Sequence, residues 1–425
     1  TFSSFTIKEI PGNHATQTTP AARPNYAIEP AGGRRNLLTF TEQFDNPIWV
    51  KGSGTSVTAN THTAPNGTVT ADTVTTTTGL ELTALAIPIV SGVSYTASIS
   101  VRKTSGATVF PLISFSVGVP AEVILNTNTG VLSVRSGSPG ATDLNVVDQG
   151  DYWRLSFSRV SAGTSANLYF YPAASTNGTS YTGGLSGSQV IWGAQFEAST
   201  TATAYQKVTT QYDVTEAGVA SVGYLYFDGA GDHMVTSTIT PGTDKAQVFA
   251  GVRKLSDATS YAMVAELGAG SGAHISLMAP YVGAVYGFDS AGTSIRNATS
   301  PTTFPAPRTD ILTGLGDISG DRATLRVNGT QVAQNTGDQG TGNYSNSALN
   351  IGRRASGDFP FSGHLYSLIT RFGPTLDAPT IASTEIWVGD KTGIDVAKNI
   401  STTIYTRSGD TILDRANSTI ERRAV

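Results

Sequence analysis

Cysteine is absent from the 425-residue chain, which excludes disulfide staples and thiolate metal sites and leaves stability to sheet packing and to association between chains. Charge is scarce as well: Asp, Glu, Lys and Arg make up 14% of the residues, and the net charge is −4. That balance supplies no long-range attraction to nucleic acid or to an anionic membrane, so neither partner is expected. No apolar run approaches the roughly 18 residues of a bilayer-crossing helix, and no membrane insertion is expected. The chain opens on Thr1, not on methionine; a native segment ahead of it, able to carry an anchor on a larger assembly, is expected. What is abundant is glycine, 46 residues, together with Ser and Thr, the profile of short strands joined by many turns. The length has room for two or three domains, each with its own core.

Residues 1–35 lack periodicity and contain Pro11, Pro20, Pro24 and Pro30. Proline blocks helix continuation and central-strand pairing, so this stretch reads as an extended arm ordered by a partner surface, or as a loose terminus. Residues 36–207 read as one β-sandwich, with strands at Leu85–Val90, Ser94–Val101, Val109–Val117, Glu122–Asn126, Val131–Arg135, Tyr152–Val160, Ala166–Tyr171 and Gln189–Glu197. In Y-T-A-S-I-S-V, Tyr95, Ala97, Ile99 and Val101 share one face and hydroxyls the other, which predicts one buried face and one wet face. Residues 212–393 read as a second sandwich, opened by Tyr224–Val235, a strand, a tight turn at Asp228–Asp232 and a second strand, taken together as a hairpin. Asn328-Gly329 in L-R-V-N-G-T-Q-V-A marks another hairpin. A helix is predicted over Asp377–Val388, capped by Asp377 and ended by Gly389. In the tail, 398–425, the units Ile404–Arg407, Ile412–Arg415 and Ile420–Arg423 recur every eight residues. They suggest a β-meander or stacked rungs that pack on a neighbouring domain or chain.

No catalytic constellation emerges. The five histidines, His14, His62, His233, His274 and His364, form no i,i+2 or i,i+4 pair and no recurrent pattern with a carboxylate, and they read as surface or packing residues. Asp228 and Asp232, like Asp317 and Asp321, are carboxylate pairs across turns. A hard cation such as calcium is one reading; a turn braced by Asp side chains is the other and is preferred, since calcium wants six or more oxygens. No cofactor is expected. Asn66, Asn177 and Asn328, each followed by Gly-Thr, match a glycosylation acceptor pattern, but the Asn-Gly turn explains each one. In Leu168-Tyr169-Phe170-Tyr171, Tyr169 and Tyr171 share a face, which makes them a platform for stacking a sugar ring or, alternatively, core residues. Trp153 and Trp192 are further candidates, preferred as core.

Several stretches resemble virion proteins of tailed bacteriophages. G-N-H-A-T-Q-T-T-P-A-A-R-P-N-Y (Gly12–Tyr26) resembles the lead-in to laminin-G or concanavalin-like modules of phage fibres. R-N-L-L-T-F-T-E-Q-F-D-N-P-I-W (Arg35–Trp49), I-W-G-A-Q-F-E (Ile191–Glu197) and T-A-Y-Q (Thr203–Gln206) resemble a carbohydrate-binding-module-like sandwich of fibres and spikes. Y-L-Y-F-D-G-A-G-D, L-R-V-N-G-T-Q-V, L-N-I-G-R-R and F-S-G-H-L-Y-S-L-I resemble the laminin-G-like jelly roll. The lead-in normally runs straight into the F-D-G strand, so the first sandwich looks inserted.

The resemblance implies an all-β chain of two antiparallel, lectin-like jelly-roll sandwiches, with an extended arm and a short β-repeat tail. It implies a non-enzymatic adhesive protein on the virion surface, in tail or head, with other virion proteins and a bacterial surface glycan as partners. The repeat tail and the missing disulfides point to a homo-oligomer, a trimer by preference. A capsid decoration protein without receptor function and a polysaccharide-degrading spike are the alternatives. No binding residue follows from the resemblance; Tyr169 and Tyr171 rest on their spacing alone.

Overall fold

The computed structural model describes residues 14–117, 119–138, 140–268, 272–396 and the pairs 404–405, 412–413 and 420–421. The described residues are nearly all β, with one α-helix. They form two compact units: Ile28–Ser221, and a second made of Thr1–Ala27 with Val222–Val425. The first is therefore an insertion within the second along the chain.

Within Ile28–Ser221, two six-stranded antiparallel sheets enclose one core. Sheet I runs in the order Thr142–Asp148, Tyr152–Val160, Ser94–Arg102, Gly187–Glu197, Ala71–Thr76, Thr55–His62. Sheet II runs Trp49–Lys51, Leu82–Pro88, Ser165–Ser175, Phe110–Val117, Val119–Asn126, Val131–Val134. Tyr95, Ala97, Ile99 and Val101 face inward and meet Phe115, Phe157, Leu168, Phe170 and Phe196. Phe115 stacks on Phe157 at 5.4 Å and meets Phe196 edge-on at 5.3 Å. Burial of this apolar area is the main stabilising term of the unit.

Four strands here escape a periodicity search: Trp49–Lys51, Thr55–His62, Ala71–Thr76 and Thr142–Asp148. Three lie at sheet edges, and Ala71–Thr76 is joined only to the edge strand on one side. Thr55–His62 and Ala71–Thr76 are built largely from threonine and polar residues, so β-branching favours the strand while no apolar alternation announces it, and Trp49–Lys51 is only three residues long. The hydroxyl face of Ser94–Arg102 is also not wet: Thr96, Ser98 and Ser100 are all buried. Polar side chains and chain segments cover it, as described below.

The second unit packs a seven-stranded sheet, in the order Asn25–Pro30, Ser221–Asp228, Ser362–Phe372, Lys245–Lys254, Arg308–Asp317, Arg322–Val327, Thr330–Asn335, against a six-stranded one. The latter runs Met234–Ile239, Ser347–Ile351, Met263–Leu267, Ile275–Met278, Gly287–Ala291, Ile295–Thr299. Phe227, Val248, Leu312 and Leu325 meet Leu267, Leu277, Phe288 and Leu349 between them. The Asn328-Gly329 hairpin forms as expected, with φ of 49° and 81° and Val327 paired to Thr330.

Tyr224–Val235, in contrast, is not a hairpin. Ser221–Asp228 pairs with Ser362–Phe372 in one sheet, and Met234–Ile239 pairs with Ser347–Ile351 in the other. The tight turn at Asp228 passes the chain between layers because Leu225 and Phe227 on one strand and Met234 on the next all pack on the inter-sheet core.

The helix, α1, spans Ala378–Thr392; Asp377 caps it by accepting from Thr380 N at 2.9 Å. It passes through Gly389 and stops at Gly393, whose φ of 75° supplies the left-handed turn. Gly389 serves close packing instead: a Cβ there would lie 2.7 Å from the Ile394 carbonyl and 2.8 Å from Val396. Ile381 and Val388 pack on Phe249 and Ile311 of the seven-stranded sheet, and buried Glu385 accepts from Arg326 Nε and Nη2 at 2.8 and 3.0 Å.

Of the arm, residues 1–13 lie outside the described residues. Thr16 exchanges two backbone hydrogen bonds with Val235, and His233 N donates to the Ala22 carbonyl, so residues 16–22 lie along the chain's own second unit. In the tail, Ile404–Tyr405, Ile412–Leu413 and Ile420–Glu421 pair as an antiparallel meander; the rest of 398–425, with its expected packing partner, lies outside the described residues.

A buried polar network closes the inserted unit. Asn36 donates to the Ala194 and Gln206 carbonyls and accepts from Leu38 N and Phe196 N. Gln206 accepts from Arg35 N and Asn36 N and donates to the Gly33 carbonyl and to Glu216. Gln195 accepts from Gln206 N and donates to Glu197, whose carboxylate also holds Thr203. Gln206→Ala leaves two buried N–H groups and a carbonyl unsatisfied, and should cost about 3 kcal/mol. A urea midpoint within error of wild type would show that water replaces the amide.

Candidate functional site

The outer face of sheet I contributes Arg154 and Trp192 to a cleft of about 470 Å³, lined also by Glu42, Pro65, Asn66, Gln149, Ala204, Tyr205, Lys207 and Thr215–Ala217. Small-molecule clefts span roughly 300–1,000 Å³. Its position follows from strand alternation. Ile191 and Phe196 turn inward, so Trp192 turns outward beside Tyr152. Trp192 donates to Thr70 Oγ1 at 3.0 Å, and its ring meets Tyr205 at 4.6 Å. Gly193, next to Trp192, takes the left-handed φ of 65° that a side chain would strain.

The polar residues of the cleft are individually anchored. Arg154 donates to Ser98 Oγ and to the Thr203 carbonyl; burial lowers its pKa, against the opposing pull of Glu197. Gln149 accepts from Ser100 Oγ at 2.8 Å. Glu42 Oε2 accepts from Lys207 Nζ at 2.7 Å, and the buried Glu42 carboxylate also lies within hydrogen-bonding reach of the Tyr205 hydroxyl. The Tyr205 hydroxyl lies 2.7 Å from Thr41 Oγ1, and burial, together with the charge of Glu42, pushes its pKa well up. Glu216 accepts from Arg35 at 2.7 Å.

Tyr169 and Tyr171 lie on the other side of the same unit, on the outer face of sheet II. Leu168 and Phe170 between them are core, and the two tyrosines are half-buried with ring centroids 6.4 Å apart. Tyr181 meets Tyr171 edge-on at 6.1 Å, and Arg135 lies over Tyr181 while pairing with Glu122. Burial and the nearby carboxylates Glu81 and Glu122 raise the Tyr171 pKa, so its hydroxyl stays protonated and can both donate and accept. Of the tryptophans, Trp192 is buried but faces the cleft, not the inter-sheet core. Trp153 is half-buried beneath Lys103, whose Nζ stands 4.0 Å from its ring.

Asp228 and Asp232 brace their turn. Asp228 Oδ1 accepts from the amides of Ala230, Gly231 and Asp232, and Asp232 Oδ2 accepts from Asp228 N. Asp317 likewise accepts from Gly320 N and Lys245, and Asp321 from Gln339 N. Among the described residues no group of three or more His, Asp or Glu side chains is placed to share a metal ion.

The second unit carries a buried acidic row that periodicity does not reveal. On the six-stranded sheet, register aligns Asn350, Glu266, Ser276, Asp289 and Asn297. Arg354 and Ser276 donate to Glu266, and Asn297 donates to Asp289 at 2.6 Å. Burial pushes the Asp289 carboxyl up to about 7, a rise opposed by the Asn297 hydrogen bond and Arg354 and helped by Glu266.

No family model and no curated protein sequence matches the chain. Among solved structures it is similar to a native heptameric SAP-like pentraxin from Limulus polyphemus, at 13% identity and TM-score 0.31, covering 38% of this chain and 80% of that one. The CBM40 of a Ruminococcus gnavus IT-sialidase, bound to α2,3 sialyllactose, gives 13% identity, TM-score 0.28 and coverage of 34% and 84%. Domain 4 of AbnA, a GH43 extracellular arabinanase from Geobacillus stearothermophilus in complex with arabinotriose, gives 16%, 0.32 and coverage of 43% and 81%. Each match spans less than half of this chain, and none of those ligands is carried over to it.

One pH dependence follows from the acidic row. The unfolded carboxyl titrates near 3.8 and the folded Asp289 near 7, so between these values the folded state holds a proton the unfolded state has lost. Stability therefore falls as pH rises through that window. Asp289→Asn should gain on the order of 1–3 kcal/mol over wild type at pH 8 and little at pH 4. Parallel melting-temperature profiles for the two proteins from pH 4 to 8 would refute this.

Proposed function

We propose that the chain is an adhesive protein of a tailed-bacteriophage particle, a fibre or spike on tail or head, that attaches by binding glycans of the host surface. The observation that carries the reading is the outward pair Tyr169 and Tyr171, joined by Tyr181 and the Glu122–Arg135 pair on one sheet face. Aromatic rings offer apolar faces to the C–H surfaces of sugars, while their hydroxyls and a flanking ion pair offer hydrogen bonds. The resemblance of Arg35–Trp49, Ile191–Glu197 and Thr203–Gln206 to modules of fibres and spikes supports the particle context.

The double variant Tyr169→Ala/Tyr171→Ala should lose at least tenfold in affinity for purified host envelope polysaccharide, with a melting temperature within a few degrees of wild type. Equal loss of folding would return both rings to a packing role. Saturating binding to capsids with no affinity for host envelope glycans would replace the reading with a decoration protein, and release of reducing ends from host polysaccharide would replace it with a hydrolase.

For assembly, a homotrimer is proposed, with the repeat tail at the contact between chains. Deleting 404–425 should lower the mass measured by light scattering at micromolar concentration from three chains towards one. An unchanged mass would assign the meander to its own chain.

A further inference from the structure

We propose that the second unit carries a binding site of its own for a neutral saccharide, where three passages of the chain between its two sheets meet. Residues 229–233, 255–262 and 352–361 each connect a strand of the seven-stranded sheet to one of the six-stranded sheet. Asp228 pairs with Ser362, and Leu255 N donates to the Ser362 carbonyl, so the three crossings lie at one end of the sandwich. Between them is a pocket of about 300 Å³ whose lining includes Tyr261, Pro280 and Phe359 and the hydroxyls of Ser256, Ser260 and Ser362, a size and make-up suited to a small ligand. Ser256 and Ser260 are exposed, so a ligand reaches them directly.

The aromatic part of the pocket is set in advance. Phe359 holds a φ of 56°, a left-handed conformation that strains a bulky residue and that the surrounding structure must impose. Its carbonyl accepts from Met263 N at 3.0 Å, its ring meets Tyr261 edge-on at 5.2 Å, and the Arg354 guanidinium lies over it at 4.8 Å. Tyr261 in turn packs on Tyr281 at 4.9 Å, with the two hydroxyls within hydrogen-bonding reach. Rings held in this way offer apolar faces to sugar C–H groups without an ordering cost at binding. The ligand class follows from charge. No residue lining the pocket is charged, and the charged side chains of the same crossings are engaged: Lys254 with Asp257, Asp257 with Ala306 N, Arg354 with Glu266, Asp228 with the amides of its own turn, and Asp358 with Ser356. A uronate or an ammonium seated there would shed water with no counter-charge to receive it, whereas a sugar hydroxyl can both donate to and accept from the serines.

The test is titration calorimetry on the full chain carrying Tyr169→Ala/Tyr171→Ala, which removes the platform of the other unit, with neutral gluco-, galacto- and manno-configured trisaccharides, galacturonic acid oligomers and glucosamine oligomers. At least one neutral trisaccharide is expected to bind at one site per chain, and to lose tenfold or more in affinity when Phe359→Ala or Ser256→Ala/Ser260→Ala is added. Far-UV circular dichroism and melting confirm folding; the serine change, at two exposed side chains, keeps the test open if Phe359→Ala does not fold. If the tyrosine variant itself does not fold, the serine change in the wild-type chain should lower the number of sites per chain by one. Three results overturn the proposal: no neutral trisaccharide binds, the uronate or glucosamine series binds tighter, or the folded serine variant binds unchanged. The platform reading is judged separately, by whether wild type binds host polysaccharide more tightly than the tyrosine variant does.

Discussion

The inserted unit depends on a set of buried amide hydrogen bonds that join the first residues of its sandwich to the last. Asn36 and Gln206 have no exposed surface, and between them they satisfy backbone groups of Gly33, Arg35, Asn36, Leu38, Ala194, Phe196 and Gln206 itself. Each of these groups would be costly to bury unpaired. Apolar packing drives the two sheets together, but it is non-directional and cannot choose where entry and exit strands meet. The amides do, because each accepts only donors and acceptors at set positions.

The cleft follows from the same closure. Gln206 holds the Thr203–Val208 segment over the outer face of sheet I, which places Tyr205 on Trp192 and Lys207 on Glu42. Ser98 and Ser100 are thereby withdrawn from water and become anchors for Arg154 and Gln149. Polar side chains that look solvated by alternation are thus the second layer of a site. Arg35–Trp49, Ile191–Glu197 and Thr203–Gln206 contribute residues to this network, so these stretches carry fold information and only indirectly shape a ligand surface.

Strands with clear apolar alternation, such as Ser94–Arg102 and Tyr152–Val160, were legible, as was the Asn328-Gly329 hairpin, because period-2 burial and positive-φ turn chemistry are local properties. The threonine-rich strands Thr55–His62 and Ala71–Thr76 were not, since what places them is pairing with distant partners. Gly389 misled for a related reason: a glycine can end a helix or admit a neighbour, and the crossing of Ile394 and Val396 over it is invisible along the chain. At the candidate sites, the outward direction of Tyr169 and Tyr171 was readable from alternation. Glu42, Gln149, Arg154 and Lys207 were not, being separated by up to 165 residues with no spacing to connect them.

By itself the sequence determined the β class, the alternation of each apolar strand, the capping of α1 by Asp377 and the turn role of Asp228 and Asp232, all set by interactions within a few residues. Tertiary structure alone decided that Tyr224–Val235 crosses between sheets, that the serine face of Ser94–Arg102 is covered, and that Glu42 is buried against Lys207. These depend on which distant surfaces meet, and side-chain direction on a strand says which face a residue takes but not what arrives to cover it.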